Sequence, residues 1–158
     1  LMKQVVDINK YSRSHHIPSA LLSDCQGSIR PQLPGDTRWK SKLDCIDSYT
    51  KNQAHMVQII QDNPGEIDCK IVQKIMNHKL YVNLVELAEQ LRPVAVALDR
   101  AQADSTNLAD AYDIMKKLLT EPLLAPHCDT VQKRFDKAIQ PCHMVAYMLH
   151  PKYNGHGM

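Results

Sequence analysis

Residues 34–45 read PGDTRWKSKLDC and combine a turn, a cluster of basic residues and the start of a helix. Asp36 or Thr37 is suited to cap that helix, because a short polar side chain accepts a hydrogen bond from the unpaired N–H groups of the first turn. The apolar residues that follow recur mostly three or four positions apart, the period of one helical face. They are Trp39, Leu43, Ile46, Tyr49 or Thr50, Val57 and Ile60. The longest helix is therefore predicted from residue 37 to just before Asn63.

The same period recurs along the rest of the chain. Residues 3–14 predict a short helix that ends before Pro18, and residues 20–22 can resume it. Further helix starts are predicted where Asn or Asp stands before an apolar run, with a carboxyl or amide side chain three residues later. These segments are 63–66, 83–86, 107–110 and 129–132.

Two of the predicted helices carry further expectations. The helix after residue 83 has an apolar seam of the kind that a core helix carries, in preference to a free coiled coil. Pro93 should kink or divide that helix near Arg92, because proline lacks the backbone N–H. The last helix is expected to carry one apolar stripe that includes Val131, Phe135, Ile139, Cys142, Ala146 and Leu149.

The predicted fold class is all-α, because the chain shows no sustained two-residue alternation bounded by hairpin turns. About six helices, each with one apolar face, would pack as a bundle in a single domain over residues 1–158. Within it we expect an N-terminal helical segment at 1–22, a loop at 23–36, the main bundle at 37–150 and a C-terminal tail at 151–158.

Composition narrows the functional classes. Five cysteines without a CxxC pair are a poor basis for a disulfide framework, so we interpret them as reduced. No apolar run approaches the roughly 18 residues that span a bilayer, and the N-terminus shows no signal-peptide pattern, which indicates an intracellular protein without a membrane partner. The chain begins with Leu1 and stops just after a motif, as a piece of a longer protein would.

Sequence patterns for catalysis or metal binding are weak. His127, Cys128, Cys142, His143 and His150 could supply zinc ligands, but their spacing matches no recognised zinc motif. The chain has no GxSxG nucleophile motif, and its five glycines leave little from which to build a phosphate-binding loop. We therefore predict no catalytic residue, no metal site and no cofactor in this chain.

Basic residues give a stronger pattern. Residues 1–43 hold seven Lys or Arg against three Asp, whereas residues 44–121 hold eight against twelve acids. The predicted nucleic-acid-binding residues are Arg30, Arg38, Trp39, Lys40 and Lys42. Basic side chains neutralise phosphates and an exposed aromatic ring stacks on an unpaired base. The alternative is that Trp39 anchors its helix in the core, since it shares a face with Leu43.

Three segments resemble the hAT superfamily of DNA transposases and the host proteins derived from them. Residues 37–41, TRWKS, resemble the TRWNS motif of that family. Residues 91–104, LRPVAVALDRAQAD, are similar to its LKPIAVALDRLQSD segment. Residues 141–143, PCH, and 149–155, LHPKYNG, resemble its PCH and LLHPKYRG segments, and all three segments occur in the family's order.

The resemblance implies a place in a larger enzyme. The hAT catalytic core is an RNase H-like fold with three metal-binding acids, and a long all-helical insertion separates the second acid from the third. This chain would be largely that insertion domain, and none of the three catalytic acids would lie within it. In the family the Trp of the motif lies near DNA hairpin ends, a role that falls here on Trp39. Lys40 departs from the usual Asn and adds a positive charge.

Two hypotheses follow from the sequence. The first is a helical insertion domain that helps to position DNA, with Arg38 and Trp39 at the nucleic-acid face and a nuclear location by family resemblance. The second is a domesticated module that binds a protein partner or self-associates, with Trp39 buried. An exposed Leu and Met patch would favour the second hypothesis, and an accessible Trp39 in a basic groove would favour the first.

Overall fold

A computed structural model of the chain describes residues 1–35 and 39–157, with the backbone alone for Trp39. In these residues the fold is all-α, as predicted, and contains no strand. The α-helices are α1 Met2–Ser14, α2 His16–Asp24, α3 Trp39–Asp62, α4 Cys69–Ile75, α5 His78–Ala101, α6 Leu108–Leu119, α7 Cys128–Ala138 and α8 Pro141–Leu149; a 3₁₀ helix covers Pro122–His127. Of these helices, none combines the length and apolar content needed to cross a bilayer.

The described residues form eight α-helices where the sequence predicted about six. One extra helix arises at His15, whose extended backbone separates α1 from α2 and leaves Pro18 in the first turn of α2. The other arises because the predicted last helix is two helices. Ile139 and Gln140 are extended, and Pro141 begins α8, as expected where proline pushes its preceding residue out of the helical region. The single apolar stripe predicted up to Leu149 is therefore wrong.

Helix starts were predicted with mixed success. Asn107 caps α6 as predicted, and its side chain and that of Asp110 form a reciprocal capping box. The start predicted at Asn63 is wrong, since Gly65 adopts a left-handed φ of 90° and Asp68 caps α4 instead. The start predicted at 83–86 is also wrong. That segment lies inside α5, at whose beginning the Asn77 side chain accepts a hydrogen bond from the Leu80 amide.

Helix α5 continues through Pro93 and is not divided there. Proline removes the N–H group that would bond the Glu89 carbonyl one turn earlier. The contacts of the chain separate two compact units, unit 1 at Leu1–Ala88 and unit 2 at Glu89–Met158. The division lies within residues 37–150, for which the sequence predicts one main bundle.

Unit 1 is built on α1 and α3. Helix α1 packs against α2, α3 and α4, and α3 also contacts α2 and α4. The side chains that fill the interior are aliphatic, with one tyrosine and one cysteine. They are Val5, Ile8, Leu22, Leu43, Cys45, Ile46, Tyr49, Met56, Ile59, Ile71, Ile75, Leu80, Leu84 and Ala88. Along α3 the buried face after Tyr49 passes through Asn52 to Met56 and Ile59, rather than to the predicted Val57 and Ile60.

Unit 2 is built on α6, which packs against α7, α8 and the 3₁₀ helix. Its core contains a row of phenol rings, with centroids 4.7 Å apart for Tyr112 and Tyr147 and 4.8 Å apart for Tyr147 and Tyr153. Tyr153 belongs to the predicted C-terminal tail, yet it is buried. The chain turns back at Asn154 and Gly155, both with positive φ, so the amide of Gly155 donates to the carbonyl of Tyr147 at 3.3 Å.

Candidate functional site

The structure describes only some of the five predicted DNA-binding residues. Arg38 and the side chain of Trp39 lie outside the described residues, as do the predicted caps Asp36 and Thr37. Lys40 is exposed and Lys42 is half-buried in the first turn of α3. Arg30 is exposed on the segment that connects α2 with α3. Of the predicted set, Arg30 therefore has the most completely described surroundings.

The connecting segment is fixed at Ile29 by a buried asparagine. Asn52 lies in the middle of α3 with 0% of its surface exposed. Its side-chain oxygen accepts a hydrogen bond from the Ile29 amide at 2.9 Å, and its side-chain nitrogen donates to the Ile29 carbonyl at 2.6 Å. An asparagine side chain thus pairs both backbone groups of one loop residue, as a neighbouring strand would.

A second anchor lies three residues later, at Gln32. The Gln32 amide donates to Ser48 Oγ at 2.9 Å, and its carbonyl accepts from Asn9 Nδ2 at 2.8 Å. Asn9 belongs to α1, is fully buried, and also donates to Ser48 Oγ and to the Cys45 carbonyl at 3.0 and 2.9 Å. One polar cluster therefore joins α1, α3 and the connecting segment.

A third anchor lies at Gly35, whose amide donates to Ser41 Oγ at 2.9 Å. The three anchors lie in the order Ile29, Gln32, Gly35 along the chain. Their partners on α3 lie in the reverse order of residue number: Asn52, Ser48, Ser41. Residues 29–35, hereafter the anchored loop, therefore run antiparallel to the first half of α3. Arg30 lies between the first two anchors, so its backbone position is fixed.

A cavity of about 440 Å³ lies beside the anchored loop. Its lining includes two arginines, Arg13 of α1 and Arg30 of the anchored loop. The remaining lining residues are mostly serines, with three apolar side chains. They are Ser12, Ser19, Ser23, Ser28, Leu22, Ile29 and Pro31. We call this the Arg13–Arg30 cavity, and it brings a predicted binding residue together with a basic residue that lies 17 positions earlier in the sequence.

The charge of the Arg13–Arg30 cavity is uncompensated among the described residues. Its lining there includes no Asp or Glu, and neither arginine forms an ion pair with a described carboxylate. Asp7, the one acid of α1, is held by Lys74 of α4 at 2.7 Å. The hydrogen bond from Lys74 lowers the pKa of the Asp7 carboxyl. The cavity is thus suited to an anion.

The HPKY segment of unit 2 forms a polar cluster against α6. The Tyr153 hydroxyl donates to Asp110, the partner of Asn107 in the α6 capping box, and accepts a hydrogen bond from Lys152 Nζ at 3.0 Å. The hydrogen bond from Tyr153 is the largest cause of the lowered pKa of Asp110. Burial, followed by the hydrogen bond to Asp110, raises the pKa of the Tyr153 phenol. These residues hold the end of the chain on the unit 2 core.

Helix α8 leaves apolar side chains exposed. Met144, Val145, Met148 and Leu149 expose 40 to 77% of their surfaces. They recur at positions i, i+1, i+4 and i+5, which places them on one side of the helix. We call this set the α8 apolar face. The sequence predicted Leu149 on the core stripe. The structure exposes Leu149 to solvent, because α8 is a separate helix that begins at Pro141 and does not continue the stripe of α7.

The cysteines and histidines do not converge. Cys128 and Cys142 are exposed free thiols, and the nearest described partner of Cys142 is His143, with Sγ and Nδ1 3.6 Å apart. The prediction that Cys142 lies on the apolar stripe of the last helix is therefore wrong, since its thiol is exposed. Over residues 1–35 and 39–157, no three His, Cys, Asp or Glu side chains cluster as a metal site would require.

The predicted binding set leaves out Arg13, which the sequence indicates only as added positive charge nearby, and sequence reasoning missed the polar residues Asn9, Ser48 and Asn52 that fix the loop. A signal for Asn52 was present, because it occupies an interior position of the helical stripe between Tyr49 and Met56. A buried polar residue requires partners, and an irregular loop can supply them. Comparison with known proteins adds no relative, since no family model, no curated protein and no solved structure matches the chain.

Proposed function

We propose that the chain is the helical insertion domain of a hAT-like transposase or transposase-derived protein, and that it helps to position DNA in the nucleus. Metal-dependent strand transfer would be supplied by acids outside the chain. The three motif segments support this assignment, and the all-helical fold agrees with it. In this proposal residues 37–41 contact the DNA. The structural scaffold is formed by the other motif segments, 91–104, 141–143 and 149–155.

The observation that carries the proposal is the Arg13–Arg30 cavity beside the anchored loop. Two arginines from separate elements line one polar concavity, and the described lining offers no acid to neutralise them. Nucleic-acid backbones are recognised chiefly by such positive surfaces. The anchored loop leads directly to the TRW motif at the start of α3, so Arg30 and Trp39 belong to one continuous stretch of chain.

The anchoring suits a positioning role. A loop held by Asn9, Ser48 and Asn52 presents Arg30 at a fixed backbone site, so less conformational freedom is lost on binding. Phosphate contacts fix the register and direction of a strand without reading its sequence. Trp39 would then stack on an unpaired base near a hairpin end, which contributes about 1–3 kcal/mol per base.

Binding of the chain to hairpin and single-stranded DNA across a salt series tests this function. We expect salt-dependent binding that is weakened in both Arg38→Ala and Trp39→Ala. Arg134→Gln is the control, because Arg134 is an exposed arginine of α7 far along the chain from the motif. Undetectable affinity at low salt would exclude the DNA function, as would motif variants that bind like the folded parent.

The α8 apolar face favours a second candidate function, a domesticated module that self-associates or binds a protein. Four neighbouring apolar side chains on one helix are more than the scattered exposed residues of an ordinary surface. Sedimentation velocity over a range of protein concentrations tests self-association. A dimer that is lost in Met148→Ser and kept in Leu108→Ser, another exposed apolar position, would support this candidate. A monomer at every concentration would exclude self-association.

A further inference from the structure

We propose that the Arg13–Arg30 cavity binds a single phosphate group, which the two guanidinium groups hold together and serine hydroxyls complete. This inference deepens the proposed function, on which the assignment of that phosphate to a DNA strand rests. Binding of the phosphate itself depends only on the chemistry of the cavity. Phosphate oxygens accept several hydrogen bonds at once, and arginine donates to them from a planar group with five N–H donors.

The two arginines reach the cavity from supports that are held together. Arg13 lies in the last turn of α1, and Arg30 lies between the first two anchors of the loop. Asn9 belongs to α1 as well, and its side chain donates to the Gln32 carbonyl, two residues after Arg30. Helix α1 and the anchored loop are thereby joined directly, so one polar cluster holds together the two elements that carry Arg13 and Arg30.

The serines supply neutral donors. The Ser23 hydroxyl already donates to the Ser19 carbonyl at 2.8 Å, so it contributes least. The hydroxyls of Ser12, Ser19 and Ser28 have no hydrogen-bond partner among the described residues, and all three line the cavity. Each can donate one hydrogen bond to an oxyanion while it keeps its acceptor lone pairs for water. We assign these three hydroxyls to the phosphate.

The size of the cavity favours a phosphate that is part of a strand. Small-molecule sites generally have volumes of about 300–1,000 Å³, and 440 Å³ leaves room beside a phosphate for the sugar attached to it. Leu22, Ile29 and Pro31 provide an apolar wall for that sugar. Arg13 and Arg30 are both exposed, so both side chains are accessible to a strand.

The first experiment compares three probes on the whole chain by isothermal titration calorimetry. The probes are inorganic phosphate, a single-stranded oligonucleotide, and the same oligonucleotide with uncharged methylphosphonate linkages. We expect both phosphate-bearing probes to bind and the methylphosphonate strand to bind at least about tenfold more weakly, because charge-assisted hydrogen bonds are lost. Equal binding of the two strands would overturn the proposal.

The second experiment is a double-mutant cycle with Arg13→Gln, Arg30→Gln and the pair, with Arg134→Gln as the matched loss of one exposed arginine. If both arginines hold one phosphate, each single variant loses nearly as much affinity for the oligonucleotide as the double variant. The slope of log affinity against log salt then falls by about 0.7 in the double variant, the value for one phosphate of single-stranded DNA. Additive losses with twice that change of slope would overturn the single-phosphate assignment.

The outcomes separate this inference from the proposed function. Inorganic phosphate that binds the parent and not the double variant, with no oligonucleotide binding, retains the phosphate site and excludes the DNA function. Oligonucleotide binding that is lost in Trp39→Ala and unchanged in the double variant retains the DNA function and excludes the phosphate site. Circular dichroism of each variant confirms the fold, which we expect to be unchanged because both arginines are exposed.

Discussion

The two units differ in the side chains that hold their irregular segments. Unit 1 buries polar residues, with Asn9 and Asn52 at 0% exposure and Ser48 at 1%, and their hydrogen bonds go to loop backbone. Unit 2 buries a row of tyrosine rings and leaves the apolar face of α8 in solvent. Buried amides give unit 1 a defined loop conformation, whereas in unit 2 the C-terminal segment is packed through an aromatic ring, Tyr153, against Tyr147.

The two units also differ in how they hold a segment of irregular backbone at the surface. The anchored loop of unit 1 is irregular backbone, which can be held beside a core only if its N–H and C=O groups find partners. Asn52 and Ser48 supply those partners and thereby place Arg30. The C-terminal segment of unit 2 is held by the buried Tyr153, whose hydroxyl donates to Asp110 of the α6 capping box. Lys116 and Tyr147 also donate to the His156 carbonyl.

The largest expected effect is the loss of the Tyr153 ring. Tyr153→Ala removes a buried aromatic side chain, and we expect it to lower the free energy of unfolding of unit 2 by about 3–5 kcal/mol. Hydrogen exchange measured by mass spectrometry should show faster exchange in α6 and α8. Protection of the α1 and α3 amides in unit 1 should change much less.

Tyr153→Phe is the matched variant, since it keeps the ring and removes the hydroxyl. It should cost about 1–3 kcal/mol, because Asp110 loses a hydrogen bond to a charged acceptor. Equal losses in the two variants would mean that the hydroxyl, and not burial of the ring, holds the C-terminal segment.

In unit 1 the corresponding test is Asn52→Ala. The substitution removes the two partly buried hydrogen bonds to the amide and carbonyl of Ile29, which together contribute about 1–3 kcal/mol. We expect faster hydrogen exchange at the amides of Ile29 and Gln32. Asn63→Ala is the control, because Asn63 is half-buried and its side chain donates locally, to the Ile59 carbonyl four residues earlier. A loop that stays protected in Asn52→Ala would remove the basis for a fixed Arg30.

Much of the architecture could be predicted from the sequence, because it depends on local rules. The all-α class followed from apolar periodicity, the end of α3 from the Asn63-Pro64 pair, and the start of α6 from the Asn107 capping box. One failure occurred where two local rules conflicted. Asn63 has the sequence pattern of a helix cap, but Gly65 adopts a left-handed φ, and α4 begins only after its cap Asp68.

The candidate site was predicted less completely, because its parts are brought together by tertiary contacts. Arg30 was identified from its sequence neighbours, whereas Arg13 joins it only through the packing of α1 beside the anchored loop. The anchors at Ile29 and Gln32 pair residues 16 to 23 positions apart, which no local pattern reports. Asn52 was not predicted as a core residue, because the search for apolar periodicity considers only apolar side chains.

A smaller effect is expected from pH. The pKa values of Asp110 and Asp7 are both lowered, by hydrogen bonds from Tyr153 and Lys74 respectively. A carboxyl with a lowered pKa in the folded state contributes stability above its unfolded pKa of about 3.9 and loses it as pH falls through the folded value. Acid unfolding below about pH 4 should therefore be less steep in Tyr153→Phe for unit 2 and in Lys74→Met for unit 1. An unchanged pH profile in Tyr153→Phe would mean that the Tyr153 hydroxyl does not lower the pKa of Asp110. An unchanged profile in Lys74→Met would mean that Lys74 does not lower the pKa of Asp7.

The smallest expected effect on stability concerns the α8 apolar face. Leu149 is 77% exposed, so Leu149→Ser should change the free energy of unfolding by no more than about 0.5 kcal/mol in denaturant titration. Leu124→Ala, at 5% exposure in the same unit, should cost about 2–5 kcal/mol because it leaves a cavity. A large loss in Leu149→Ser at high protein concentration, and none on dilution, would mean that a second copy covers this face. A loss that persists on dilution would instead place Leu149 in the core of unit 2, where the sequence stripe had predicted it.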